Sequence, residues 1–156
     1  MSVSSPSEIE PILPKISFAA CPIRASLGIF GRKWALLILR DLAFQKIDRF
    51  SHFLKNNPGL TPRVLSMRLR DLEKEGLIER IANSRENRDV KYRLTWKGYD
   101  CIPILTAFIQ YGMLHRAERV FEDGKPRSLG QVFPEKQQAM LGQLATYAAI
   151  ARSPRK

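Results

Sequence analysis

The 156-residue sequence holds only two cysteines, Cys21 and Cys101, and they lack CxxC spacing. Neither a disulfide framework nor a thiolate zinc site is indicated. Long apolar runs are missing too: the longest, WALLIL, is far short of a membrane span, and the opening MSVSSPSEIEPILPK has neither the basic start nor the continuous apolar stretch of a secretory leader. A cytoplasmic protein without a membrane partner is expected. No GxGxxG, GxxxxGKS, GxxxxGKT or HExxH string occurs, and Cys21, Cys101, His52 and His115 stand in no recognised catalytic pattern. No enzymatic activity, metal or cofactor is therefore expected. Acidic residues are scarce, with 15 Asp and Glu against 26 Lys and Arg for a net charge of +11. That excess favours polyanionic partners, nucleic acid first and an anionic membrane surface second.

What is present reads as a globular chain, 44% hydrophobic and 26% charged, long enough for one core with extensions. Residues 1–19, rich in Ser and Pro, form an N-terminal arm; residues 20–115 form the domain; residues 116–156 form a C-terminal extension with a helix of its own. In CPIRASLGIFG, Pro22 suits a first helical position, Ile23, Leu27 and Phe30 share a face, and Gly31 ends the turn. Lys33 to Ala43 is too continuously apolar for a surface helix and should be central. Phe50, Phe53 and Leu54 mark a short third helix, and Pro58-Gly59 a tight turn after it.

The fourth helix has punctuation at both ends: Thr61 as N-cap, Pro62 at the first helical position and Gly76 in the left-handed position past the end. Leu77 to Ile81 and the alternating VKYRL from Val90 to Leu94 then read as a β-hairpin. Thr95 caps a last long helix with Tyr99, Ile102, Leu105, Phe108 and Ile109 on one face and a kink expected at Pro103. Beyond it, Glu122 to Gln131 reads as loop, and Pro134 opens a helix with Leu141, Leu144, Ala145 and Ala148 on one side. The order is mainly α with a small β-hairpin: a helix-turn-helix followed by a two-stranded wing.

On a wheel of about 100° per residue, Leu65, Leu69 and Leu72 cluster while Arg63, Ser66, Met67, Arg70 and Lys74 gather opposite them. Such a rod, 10–12 Å wide, matches a major groove about 12 Å across. Its N-terminal half, Thr61 to Met67, should go deepest, with arginine on guanine or phosphate and Met67 against a thymine methyl. The competing explanation is a solvated face with local ion pairs, such as Arg68 with Asp71 or Arg70 with Glu73. At the hairpin tip, Arg85 and Arg88 could enter an adjacent minor groove.

Taken together, CPI (Cys21 to Ile23), GRKWALLILRDL (Gly31 to Leu42), RFSHF (Arg49 to Phe53), LTPRVLSMRLRDLEKEGLIER (Leu60 to Arg80) and VKYRLTWKG (Val90 to Gly98) resemble the HxlR-type winged helix-turn-helix transcriptional regulators. The resemblance runs from about Ala20 to His115. It implies a cytosolic homodimer, joined through its N- and C-terminal helices, on a pseudo-palindromic DNA operator. Carried over by position, Thr61, Pro62, Arg63, Ser66, Met67, Arg70 and Lys74 fall on the recognition helix and Arg85 and Arg88 on the wing. Lys33, Arg49 and Ser51 fall at positions for phosphate contact. Met67 stands where the family commonly has glutamine, which removes direct adenine reading there.

Some family members sense oxidants or electrophiles through a cysteine at the position of Cys21, so a small-molecule or oxidant effector is implied. A helix N-terminus and nearby Arg24 would both favour its thiolate. An inert small residue near the dimer contact is the other reading. Cys101, on the apolar side of the last helix, reads as core. The rival function is a winged-helix adaptor that binds protein without specific DNA contact, which leaves the basic stripe unexplained.

Overall fold

A computed structural model describes residues 11, 13–81, 90–135 and 137. The elements run α1 (Pro22–Phe30), α2 (Ala35–Phe44), α3 (Phe50–Asn56), α4 (Pro62–Lys74), β1 (Ile78–Ile81), β2 (Lys91–Leu94), α5 (Trp96–Tyr99), α6 (Cys101–His115), α7 (Ala117–Val120) and α8 (Leu129–Val132). This is a winged helix-turn-helix. Pairing is antiparallel, with Ile78 opposite Leu94 and Ile81 opposite Lys91. The segment ahead of α3 adds an edge contact, an Arg49–Lys91 bridge and a bond from the Tyr92 N–H to the Asp48 carbonyl.

The core forms where these elements meet. Ile38 and Leu39 of α2, Phe53 of α3, Leu65, Leu69 and Leu72 of α4, Ile78 of β1, and Tyr92 and Leu94 of β2 are all buried. Burying each α4 leucine contributes about 1.5–3 kcal/mol relative to exposure, enough to fix which face of that helix looks outward. The end of α4 follows from Gly76, whose φ of 78° is left-handed. The Gly76 N–H reaches the Glu73 carbonyl and the Leu77 N–H the Leu72 carbonyl, so two otherwise unpaired carbonyls are satisfied as the chain turns into β1.

Several expectations are corrected. The central helix starts at Ala35, because Trp34 takes a left-handed φ of 79°. The single long helix with a kink is instead two helices: α5, capped by Thr95, stops at Tyr99, and α6 starts at Cys101. Pro103 has no N–H to offer the Tyr99 carbonyl, and restarting the helix at Cys101 places it in a first turn that needs none. The loop expected over Glu122 to Gln131 contains the start of α8, whose Ser128 and Gln131 form a reciprocal cap. The shared face expected on α1 is left open in the single chain at Ile23 and Leu27, 71% and 55% exposed, while Phe30 packs partly against the core and Ile29 enters it. On α6, Ile102 and Leu105 are buried as expected, whereas Phe108 is exposed. The helix expected around Leu141, Leu144, Ala145 and Ala148 lies outside the described residues.

Candidate nucleic-acid interface

The fourth helix presents itself as a rod fixed along one side. Thr61 Oγ1 accepts from the Val64 N–H at 3.3 Å, which satisfies an otherwise free donor, and Pro62 occupies the first helical position. With Leu65, Leu69 and Leu72 buried, Thr61, Pro62, Arg63, Met67, Arg70 and Lys74 are exposed and Ser66 is half-buried. Lys74, in the last turn, also borders α1 across a cleft of about 330 Å³.

The arginines of the helix divide into two kinds. Arg68 is turned inward: its Nε donates to the Lys33 carbonyl at 2.9 Å and its Nη1 to Asp71 Oδ2 at 2.9 Å. Arg32, from the link between α1 and α2, meets the same Asp71 oxygen at 2.7 Å. The Arg32 hydrogen bond, helped by Arg68, holds the Asp71 carboxyl below its ordinary value against the opposing effect of burial. The ion-pair explanation therefore holds for Arg68. It does not hold for Arg70, because Glu73 pairs instead with Arg80 at 3.0 Å. Among the described residues, Arg63, Arg70 and Lys74 have no ion-pair partner.

The positions assigned to phosphate contact lie on the link before α2 and at the start of α3. Lys33 is exposed, with Nζ 5.2 Å from the Trp34 ring, and its carbonyl is the one that Arg68 holds. Arg49 is the N-cap of α3, half-buried and 4.0 Å from Asp48, and Ser51 is exposed in the first turn of α3. Arg85 and Arg88 lie outside the described residues. Cys21 is exposed as the N-cap of α1. Cys101 is 2% exposed, and burial pushes its thiol up to about 11, in keeping with a core role.

Sequence reasoning missed one group entirely. Asp41, Asn56 and Asn57 form a polar cluster behind the turn between α3 and α4. The only sequence signal was an acidic residue inside the apolar run of α2. It also missed that Arg32 and the Lys33 carbonyl tie the link before α2 to α4, since pairs separated by 35 or more residues leave no local periodicity.

A model of the HxlR-like helix-turn-helix family matches residues 29–120, more than half of the chain. The HTH-type transcriptional regulator YdeP of Bacillus subtilis is 35% identical over 95 residues, 61% of this chain and 73% of its own length. An HTH-type transcriptional regulator of Methanothermobacter thermautotrophicus is 37% identical over 95 residues, 61% of this chain and 72% of its own. Among solved structures, the redox regulator HypR in its reduced form superposes with a TM-score of 0.56 at 27% identity, over 66% of this chain and 99% of that one. Among the described residues no helix is long and apolar enough to cross a membrane. The family match, the regulators of similar sequence and the winged architecture agree: the chain belongs to the HxlR-like helix-turn-helix family of transcriptional regulators.

Proposed function

We propose that the chain acts in the cytoplasm as a homodimer that binds a pseudo-palindromic DNA operator, with α4 in the major groove. The observation that carries this reading is the division of α4: three leucines locked in the core, and Arg63 and Arg70 outward and unpaired among the described residues. Thr61, Pro62, Arg63, Ser66 and Met67 would meet base edges, Arg70 and Lys74 the groove wall, and Lys33, Arg49 and Ser51 the flanking phosphates. Arg85 and Arg88 of the wing would reach the neighbouring minor groove.

Dimerisation is supported by what one chain leaves uncovered. Ile23 and Leu27 on α1 and Phe108 and Tyr111 on α6 are each more than half exposed. Burying them against a second copy would remove an apolar surface that is unfavourable in water. Two α4 helices would then sit about 34 Å apart, one turn of DNA.

The experiment is a mobility-shift titration on duplex DNA from upstream of the protein's own gene, repeated between about 50 and 200 mM salt. If six or more phosphates are neutralised, affinity falls on the order of a thousandfold across that range. A flat response defeats the reading. We also propose that Cys21 makes binding oxidant-responsive; HypR, of the same fold, is described as a redox regulator. Cys21→Ser should then bind DNA like the parent under reducing conditions and lose the response to a thiol oxidant, and an unchanged response assigns Cys21 an inert role.

A further inference from the structure

A carboxylate inside a core of Leu, Ile and Phe is costly unless donors match its oxygens. Asp41 of α2 is such a group, with 0% exposure. Its Oδ1 accepts from Arg40 Nε at 2.9 Å, Arg40 Nη2 at 2.6 Å and Asn56 Nδ2 at 2.9 Å, and its Oδ2 from Asn57 Nδ2 at 2.6 Å. Asn57, 3% exposed, also donates to the Phe53 carbonyl at 2.8 Å and accepts from Arg40 Nη2 at 3.0 Å. Among the described residues no buried side-chain nitrogen or oxygen lacks a partner, and only the outer members of the cluster, Arg40 and Asn56, reach solvent.

Its location gives it a consequence. Asn57 begins the turn that delivers α4: its N–H reaches the Leu54 carbonyl at 3.4 Å and its own carbonyl accepts from the Leu60 N–H at 3.0 Å, one residue before the Thr61 cap. The turn is also met by Trp34. Gly59 takes φ +91°, and a Cβ there would lie 3.8 Å from Cη2 and Cζ2 of the Trp34 ring. The entrance to α4 is thus set by directional bonds to Asp41 and by an aromatic wall. An apolar pair in place of Asp41 and Asn57 could supply comparable stability and would fix no register.

We propose that Asp41 and Asn57 are a positioning pair that aims the N-terminal end of α4 at base edges, so that DNA sequence discrimination depends on them more than DNA affinity does. The proposal rests on the DNA-binding reading above. Its physical basis is the difference in range between two kinds of contact. A hydrogen bond to a base is lost with a displacement of about an ångström, whereas attraction to phosphate falls off slowly with distance.

The test compares two duplexes of equal length, one selected from a random library by the parent protein and one unrelated, bound to the parent and to Asp41→Asn. The substitution exchanges one carboxylate oxygen for an amide N–H₂, which would face a donor of Asn57 or Arg40. The expected result is a roughly tenfold or greater loss of affinity for the selected duplex, about the worth of one well-formed base contact, with binding to the unrelated duplex changed less than about twofold. Thermal melting must place the variant in its folded form at the assay temperature. If Asp41→Asn melts too low, Arg40→Gln carries the same expectation, since it removes three bonds of the cluster from a position 30% exposed. A folded variant that keeps the parent's ratio of affinities, whether both fall together or neither changes, overturns the proposal and leaves a purely stabilising cluster. A parent that binds both duplexes alike, after selection has failed to enrich any sequence, overturns the DNA reading itself and the proposal with it.

Discussion

Arg68 and Arg70 are two residues apart on one helix, and the structure assigns them opposite duties. Arg68 donates to the Lys33 carbonyl and to Asp71, and its side chain is 16% exposed. Replacing it with alanine removes two charge-assisted hydrogen bonds that water can only partly replace. Charged hydrogen bonds contribute about 1.5–3 kcal/mol when shielded, and exposed ion pairs about 0–1 kcal/mol. Asp71 keeps Arg32, so the expected loss for Arg68→Ala is about 1–2 kcal/mol, or roughly 3–8 °C in Tm. Arg70→Ala removes no intramolecular ion pair among the described residues and should change stability by less than about 0.5 kcal/mol. Its effect should fall on DNA: about 1–3 kcal/mol with altered base preference if it reads guanine, or about one unit less salt slope if it meets phosphate. Calorimetry and mobility-shift titration on both variants measure the two quantities separately. An Arg70→Ala protein that melts low and binds normally, beside an Arg68→Ala protein that melts normally and fails to bind, would refute the division.

Three further outcomes are expected. Burial raises the Cys101 thiol from 9.0 to about 11, so the unfolded chain loses that proton first and stability should fall between about pH 9 and 11; alkaline melts of Cys101→Ala should lose part of this dependence, and identical pH profiles would contradict it. Gly98 has no room for a side chain, because a Cβ would lie 2.1 Å from the Leu77 carbonyl oxygen; Gly98→Ala should therefore cost at least about 1–3 kcal/mol through displaced backbone, and an unchanged Tm would show the contact to be wrong. Leu27→Glu places a charge on the exposed apolar side of α1 and should shift the sedimentation of the proposed dimer toward monomer, whereas a variant that sediments like the parent would contradict an interface at α1.

Local chemistry made most of the fold legible. Thr61, Pro62 and Gly76 mark the two ends of α4 because a cap, a preset φ and a left-handed residue act within a few positions of themselves. The leucine stripe of α4 was readable for the same reason, being periodic. At Pro103 the local rule was sound, and the chain obeyed it with a break at Asp100 in place of a kink. Trp34 gave no warning of its left-handed backbone, since its ring meets Gly59, 25 positions away. The basic stripe was legible by periodicity, which left Arg68 off it, and the Arg68–Asp71 pair was legible as an i,i+3 spacing. What local spacing did not carry is the bond from Arg68 to the Lys33 carbonyl and the capture of Glu73 by Arg80, which leaves Arg70 without the partner that spacing offered it. Asp41 was hidden for a similar reason, because its partners Asn56 and Asn57 come from another helix and the turn after it.

The outer side of α4 is expected to enter the major groove, and guanine N7, which lies only there, reports on that directly. Dimethyl sulfate footprinting of the selected duplex should show two clusters of protected guanines about 10 base pairs apart, with protection in both clusters weakened by Arg63→Ala or Arg70→Ala. Binding that leaves every N7 as reactive as in free DNA would contradict it.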